Sequence, residues 1–415
     1  MSKRILKIDI KSLLLILLFS AVFFTTYLTR KSYSVIIPQL INDTGMSQNL
    51  ISIPLTVLFV CYGIGLVFAG IIIDKFKQKL ILPACLFLSG IINLLMPVIS
   101  NTIAASAILW GINGLCICFA YPILIKYVGG SLDKKYFEKA TTSIFVGAML
   151  GQAFLSVLAF LFVKYSNYSY LFYFCGSFSI LISIIVLAFT KYLTFETKTT
   201  DENKDALQNN SNIIKPKTFI IILFVLILIA LVCAGSLRDS IENWTPTFIN
   251  QAFNLSPDMG IIASILLPIF GIIIMELSLF LYKKIFKTPF KIACIYGLID
   301  WILIVILFFA GKYSLLLTVI LLTLLFGITC VIINVLISFV PKYFLSTGKI
   351  STIASILNAG SCIGSAFAIY VIGYVSRGDI YGWTGAIICW LIISSVLVLA
   401  SIMTMFFLKK TSLKK

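Results

Sequence analysis

Residues 191–217 read KYLTFETKTTDENKDALQNNSNIIKPK. Rich in Asn, Thr and charges of both signs, the stretch suits a flexible linker. It divides a chain that is otherwise apolar: 60% of the 415 residues are hydrophobic, 11% are charged, and mean hydropathy is +1.09. Soluble domains carry about 45–50% apolar and about 25% charged residues. A helix crossing a bilayer needs about 20 apolar residues, and twelve runs reach that length. Six precede the polar stretch (12–41, 50–73, 80–99, 102–125, 140–163 and 169–190). Six follow it (218–250, 258–282, 292–311, 314–340, 351–375 and 383–408). Lipid leaves backbone hydrogen bonds unsatisfied, so such runs must be helical. The expectation is an all-α membrane protein with a six-helix bundle over 1–190, a linker over 191–217 and a second six-helix bundle over 218–415.

The charge is lopsided, with 32 Lys and Arg against 15 Asp and Glu, a formal +17. With both termini placed in the cytoplasm, 26 of the 32 basic residues fall in the seven inner segments. That is the positive-inside bias, and it predicts a multi-pass protein of a bacterial plasma membrane with both ends inside. Charge spread over seven segments is no nucleic-acid footprint, which requires one basic patch. The partners expected are the lipid bilayer and a small anion, and the chain is expected to be a monomer.

Enzyme chemistry finds little support. There is no histidine, which removes the commonest general base and metal ligand. The ten cysteines all sit in apolar runs and form no C-x-x-C pair. No nucleophile-elbow, zincin or phosphate-loop motif occurs. No catalytic residue, metal or cofactor is expected.

The two halves echo one another. Arg30-Lys-Ser-Tyr-Ser-Val-Ile-Ile-Pro38 matches Arg238-Asp-Ser-Ile-Glu-Asn-Trp-Thr-Pro246 at Arg, Ser and Pro without a gap. The spacing is 208 residues, half the chain. A 6+6 arrangement of related halves is the plan of the major facilitator superfamily, whose substrate site lies near the midplane between them.

Ionisable groups within a membrane cost at least ~2.5–3.5 kcal/mol on insertion scales and mark function by default. Those here are Arg30, Lys31, Arg238, Asp239, Glu242, Glu276 and Asp300. Arg30 and Arg238 are related by the internal repeat. A guanidinium is always charged and presents a planar fork that grips phosphate or carboxylate oxygens bidentately. Two forks facing across a cavity would suit a dianion, with phosphate the obvious biological candidate. Glu242 lies four residues from Arg238, on the same helix face, and is expected to orient it. Glu276 and Asp300 are open between a protonatable relay, a helix-dipole or lysine partner, and a wet cavity wall. Tyr27 and Tyr33 are each three residues from Arg30, and Tyr62, Tyr121, Trp244 and Phe326 are the other aromatics placed at the cavity. Gly147/Gly151 and Gly360/Gly364 have the spacing of close helix packing.

Tyr27-Leu-Thr-Arg30-Lys31 with Pro38, and Leu237-Arg238 with Trp244-Thr-Pro246-Thr-Phe248, resemble the organophosphate:phosphate antiporters, which include the glycerol-3-phosphate and hexose-6-phosphate transporters. The resemblance extends through Tyr62-Gly63, Tyr121-Pro122, Phe326-Gly327 and Gly382-Trp383. It implies that Arg30 and Arg238 bind a phosphoryl group, with Lys31 and Tyr27 close by. Gly70…Asp74-Lys75…Lys79 resembles a superfamily loop motif, and implies that Asp74 and Lys75 latch helices in one state. Positions where the family commonly carries a site lysine and two tyrosines hold Leu66, Gly235 and Ser361 here. Three readings follow: exchange of organic phosphate esters or related anions for inorganic phosphate, proton-coupled symport of organic carboxylates or sugar acids, and a transporter-like sugar-phosphate sensor.

Overall fold

The structure, a computed structural model, describes residues 9–75, 78–99, 102–193, 217–281, 284, 288–311, 313–340, 343–344, 350–378, 380 and 382–412. All regular structure among them is helical. Twelve spans are long and apolar enough to cross a membrane: α1 (Ile10–Thr44), α2 (Gln48–Ala69), α3 (Lys79–Ile99), α4 (Ile103–Ser131), α5 (Lys139–Tyr165), α6 (Ser169–Tyr192), α7 (Ile221–Ala252), α8 (Pro257–Ser278), α9 (Pro289–Ala310), α10 (Leu315–Phe339), α11 (Ile353–Val375) and α12 (Gly382–Leu408). An even number of such spans leaves the start of α1 and the end of α12 on the same side. Most of the polar stretch that separates α6 from α7 lies outside the described residues.

Burial sorts the spans. In its most apolar window α10 is 78% buried and α11 67%, whereas α8 and α9 are each 39% buried. The first two face the interior, and the last two give most of their surface to lipid. Two seams join the first six spans to the last six: α2 against α11, and α5 against α8. A shift of six spans carries one seam onto the other, as a repeat of halves requires.

Prolines accompany breaks in three spans. α1 is helical from Ile10 to Val35, breaks at Ile36, and resumes over Ile37–Thr44 with Pro38 in its first turn. α4 breaks between Ile117 and Ala120, ahead of Pro122. α8 breaks between Ala263 and Leu266, ahead of Pro268. Proline has no N–H to donate and its ring clashes with the carbonyl four residues back, so each break falls just upstream of the proline. At the other end of α1, Asp9 accepts from the N–H groups of Lys11 and Ser12 at 2.8 and 3.3 Å. Its bond from the Ser12 hydroxyl, with these caps, holds its carboxyl below the usual range.

The internal repeat reappears as packing. A Cβ on Gly147 or Gly151 would lie 2.6 Å from the carbonyl oxygens of Ser20 and Phe24, so α5 lies backbone-to-backbone on α1. Gly364 of α11 meets the Val232 carbonyl of α7 in the same manner, and Gly360 packs on the Leu228 side chain. Leu228 and Val232 lie 208 residues beyond Ser20 and Phe24, the same spacing that separates the two arginines. Gly151→Val is expected to lower the melting temperature in detergent by an overpacking cost of about 1–3 kcal/mol. An unchanged melting curve would contradict so close an approach.

Candidate functional site

Arg30 sits on α1 six residues before the break at Ile36. It is 8% exposed, and its Nε has no hydrogen-bond partner among the described residues. Its guanidinium carbon lies 4.7 Å from the ring centroids of both Phe59 and Tyr62, and 5.9 Å from that of Tyr27. Aromatic faces offset part of the desolvation of a buried cation, and they do so without occupying its in-plane donors. The fork is thus held and left unspent.

A buried polar network fixes the backbone beside it. The Ser32 hydroxyl donates to Asn93 Oδ1 at 2.7 Å, and the Asn93 and Asn113 amides donate to the Thr29 carbonyl at 3.2 and 3.0 Å. Ser89 completes the network by donating to Asn113 Oδ1 at 2.6 Å. Asn93 and Asn113 were open to notice in the sequence as amides inside apolar runs, since a buried amide must find partners.

Arg238 is engaged differently. Its Nε and Nη2 donate to the two carboxylate oxygens of Asp239 at 3.1 and 2.8 Å. Asp239, 1% exposed, also accepts from the Ser365 hydroxyl on α11. One edge of the Arg238 fork is therefore occupied, and the edge carrying Nη1 remains for a ligand.

Glu242 does not serve Arg238, contrary to the expectation from their spacing. It pairs with Lys31 at 2.9 Å, with both side chains about 5–6% exposed. Lys31 also donates to Asn243 Oδ1 at 3.3 Å. Sharing a helix face permits a contact but does not choose it. The adjacent carboxylate takes the arginine, and Glu242 is left to the lysine that α1 brings across from the other half.

Arg30, Lys31, Arg238, Asp239 and Glu242 all border one small cavity, together with Tyr27 and Phe326. A larger chamber continues from the two arginines toward the side on which α1 begins and α10 ends. Tyr27, Tyr62 and Tyr121 line it, with Phe23, Phe145 and Met149, and it reaches Ser338 at the end of α10. Asn334, Ser338 and Asn358 are its polar wall, and sequence reasoning missed them because no charge or motif marks them. On the opposite side the halves meet. Gln48 donates to Gln251 Oε1 at 2.9 Å, and a Cβ on Gly373 would lie 3.2 Å from the Gln48 carbonyl oxygen.

The remaining sequence candidates fall elsewhere. Tyr33 is buried against Trp110, with ring centroids 5.7 Å apart, and its hydroxyl donates to the Ile51 carbonyl at 3.0 Å. Trp244 lies six residues from Arg238, which turns it to another face of the helix. It is fully buried there and donates to the Ile369 carbonyl at 3.0 Å. Neither residue lines the cavities. Glu276 is exposed on the outer face of α8, in line with Ile273, Leu277 and Phe280, and away from the chamber. Asp300 is fully buried in α9, with neither carboxylate oxygen hydrogen-bonded among the described residues, and it too is outside the chamber. Asp74 and Lys75 belong to the last turn of the helix Gln48–Lys75, and their side chains lie outside those described. Among the described residues no cluster of His, Cys, Asp and Glu could hold a metal ion.

Known proteins place this architecture. The model of the Major Facilitator Superfamily matches residues 19–369. The "Probable hexose phosphate transport protein" of Chlamydia muridarum is 31% identical over 104 residues, 25% of this chain and 22% of that protein. The "Membrane sensor protein UhpC" of Escherichia coli K12 is 30% identical over 100 residues, 24% of this chain and 22% of that one. The "Glycerol-3-phosphate transporter" of Bacillus subtilis 168 is 25% identical over 252 residues, 56% of each. The matches thus span about a fifth of the first two relatives and about half of the third. Among solved structures, a D-xylose-proton symporter superposes with TM-score 0.73 at 11% identity, over 94% of this chain and 96% of that one. A bacterial homologue of the lysosomal transporter Spinster, in an inward-facing and occupied conformation, gives TM-score 0.73 at 13% identity over 97% and 98%. Identities this low speak to the fold alone. The chain belongs to the Major Facilitator Superfamily, as a multi-pass membrane protein of a transporter family and not an enzyme.

Proposed function

We propose that the chain is a secondary transporter of small organic phosphate esters or related anions, exchanging them for inorganic phosphate by alternating access. The observation that carries this reading is Arg30: a buried guanidinium with open donors, facing Arg238 of the other half across one cavity. The hexose phosphate and glycerol-3-phosphate names of the relatives agree with it.

The charge bias puts the termini in the cytoplasm, so the chamber leads inward and the Gln48–Gln251 and Lys31–Glu242 contacts close the outer side. A ligand moves such an equilibrium only by binding one state better than the other. An anion gripped by Arg30 from one half and Arg238 from the other has that property, because it bridges elements that must separate to release it. Without an anion the Arg30 charge stays uncompensated in a low-dielectric chamber, so return of the empty site is disfavoured and exchange is the natural mode. Counterflow in proteoliposomes tests this directly. Inorganic phosphate trapped inside should accelerate uptake of a labelled phosphate ester and of no neutral sugar; uptake indifferent to internal phosphate would reject exchange.

The proton-coupled reading draws on a different residue, Asp300, a carboxyl buried without a hydrogen-bond partner. In the exchanger Asp300 takes no part in binding or coupling, and Asp300→Asn is expected to keep exchange within about two-fold and to leave the melting temperature unlowered, since the amide is isosteric and carries no charge to desolvate. Loss of pH-driven uptake in a well-folded Asp300→Asn protein would instead favour proton coupling.

A further inference from the structure

We propose that the site selects a singly charged phosphoryl group, either a phosphodiester or the monoanion of a phosphate monoester, over the dianion of a monoester. The inference rests on the anion-site reading above and fixes the charge state of its ligand.

The charges around the small cavity nearly cancel. Three cations, Arg30, Lys31 and Arg238, face two carboxylates, Asp239 and Glu242. Lys31 is neutralised by Glu242 at 2.9 Å and Arg238 by Asp239 at 2.8 Å. Only Arg30 has no carboxylate partner among the described residues, and the cluster carries +1. The other titratable groups facing this space are phenols and thiols: Tyr27 on α1, Tyr62 on α2, Tyr121 on α4, Cys330 on α10 and Cys362 on α11. With ordinary values near 10 and 8.5 they are uncharged at neutral pH and below. The larger chamber adds no charge, since of its 18 lining residues only Arg30 and Arg238 are ionic.

A monoanion therefore brings the buried cluster to zero. It can use the free fork of Arg30 and the unoccupied edge of Arg238 while both protein ion pairs stay intact. A dianion leaves one negative charge over. To balance it, the ligand must take Arg238 from Asp239 or Lys31 from Glu242, and those side chains are 2% and 6% exposed. Removing one partner of a buried pair strands the other in low dielectric, which is strongly unfavourable. Two guanidinium forks alone point to a dianion; the carboxylates folded in beside them reverse that preference. Exchange of one monoanion for another, inorganic phosphate as dihydrogen phosphate included, would then move no net charge.

The test uses the purified full-length protein, with binding measured calorimetrically at pH 5.5 and pH 7.0 in a cationic buffer free of phosphate and sulfonate. The probes are glycerol 3-phosphate and its methyl diester. A monoester with a second pKa of about 6 loses monoanion over this interval, so its Kd in total ester is expected to weaken about eight-fold. The diester keeps one charge throughout, and its Kd should change less than two-fold, which also controls for titration of the protein. A monoester that binds more tightly at pH 7.0, or binds while the diester does not, overturns the inference and leaves the anion site standing. Failure of both probes to bind at either pH overturns the anion-site reading and the inference with it. Glu242→Gln and Asp239→Asn each raise the cluster to +2, and whichever folds is expected to show the opposite trend, with the monoester tightening at pH 7.0.

Discussion

Arg30→Lys is expected to slow phosphate exchange by about 30- to 150-fold, with insertion and melting temperature near those of the parent. Lysine keeps the positive charge and fits the space between Phe59 and Tyr62, so the cation–ring contacts survive in part. What it loses is the planar fork. A charge-assisted hydrogen bond of this kind contributes about 1.5–3 kcal/mol, and losing about 2–3 kcal/mol corresponds to that fold-change. Arg238→Lys should cost less, because one edge of its fork is already given to Asp239. The ordering of the two variants is itself informative. Counterflow rates in proteoliposomes of matched protein content provide the measurement. Unimpaired exchange in Arg30→Lys would remove Arg30 from the anion site.

The second large effect concerns the ion pair between the halves. Lys31 and Glu242 meet at 2.9 Å, on helices that the proposed alternating access would separate when the outer side opens. Glu242→Gln leaves a buried ammonium facing an amide, and removing one partner of such a pair costs roughly 3–5 kcal/mol. The cost falls mainly on the state in which the pair is buried, so the population should shift toward the outward-open form. A cysteine placed at Gln251, beside the outer Gln48–Gln251 contact, gives the readout: labelling by a membrane-impermeant maleimide is expected to rise at least ten-fold in Glu242→Gln. Exchanging the two residues, Lys31→Glu with Glu242→Lys, should restore protection substantially. If the single variant and the exchanged pair label alike, the pair does not act as a gate.

Much of the architecture was legible in the chain. The twelve apolar runs predicted from length match twelve helices, with ends shifted by a few residues and with α1 and α4 running on past their expected limits to Thr44 and Ser131. The repeat seen in Arg30 and Arg238 also surfaced in the glycine contacts on Ser20, Phe24, Leu228 and Val232. The site was legible only as a list of charges. Spacing paired Glu242 with Arg238, whereas the structure pairs it with Lys31, 211 positions away in sequence. Tyr33 and Trp244 looked like cavity residues because each stands near an arginine in sequence, yet their polar atoms are spent on backbone carbonyls in the packed interior. Glu276 was weighed equally with Asp300, and burial separates them completely.

The sequence by itself determined that the chain crosses the membrane twelve times and repeats its own plan once. Both are consequences of local rules: a run of some twenty apolar residues must be helical in lipid because its backbone has no other hydrogen-bond partner, and a repeated motif is visible wherever it stands. Only the tertiary structure decided which carboxylate neutralises which cation, and so that Arg30 is the cavity's cation left without a carboxylate partner among the described residues. An ion pair in low dielectric depends on a few ångströms between side chains that helix packing brings together from opposite halves, and no spacing along the chain encodes that distance.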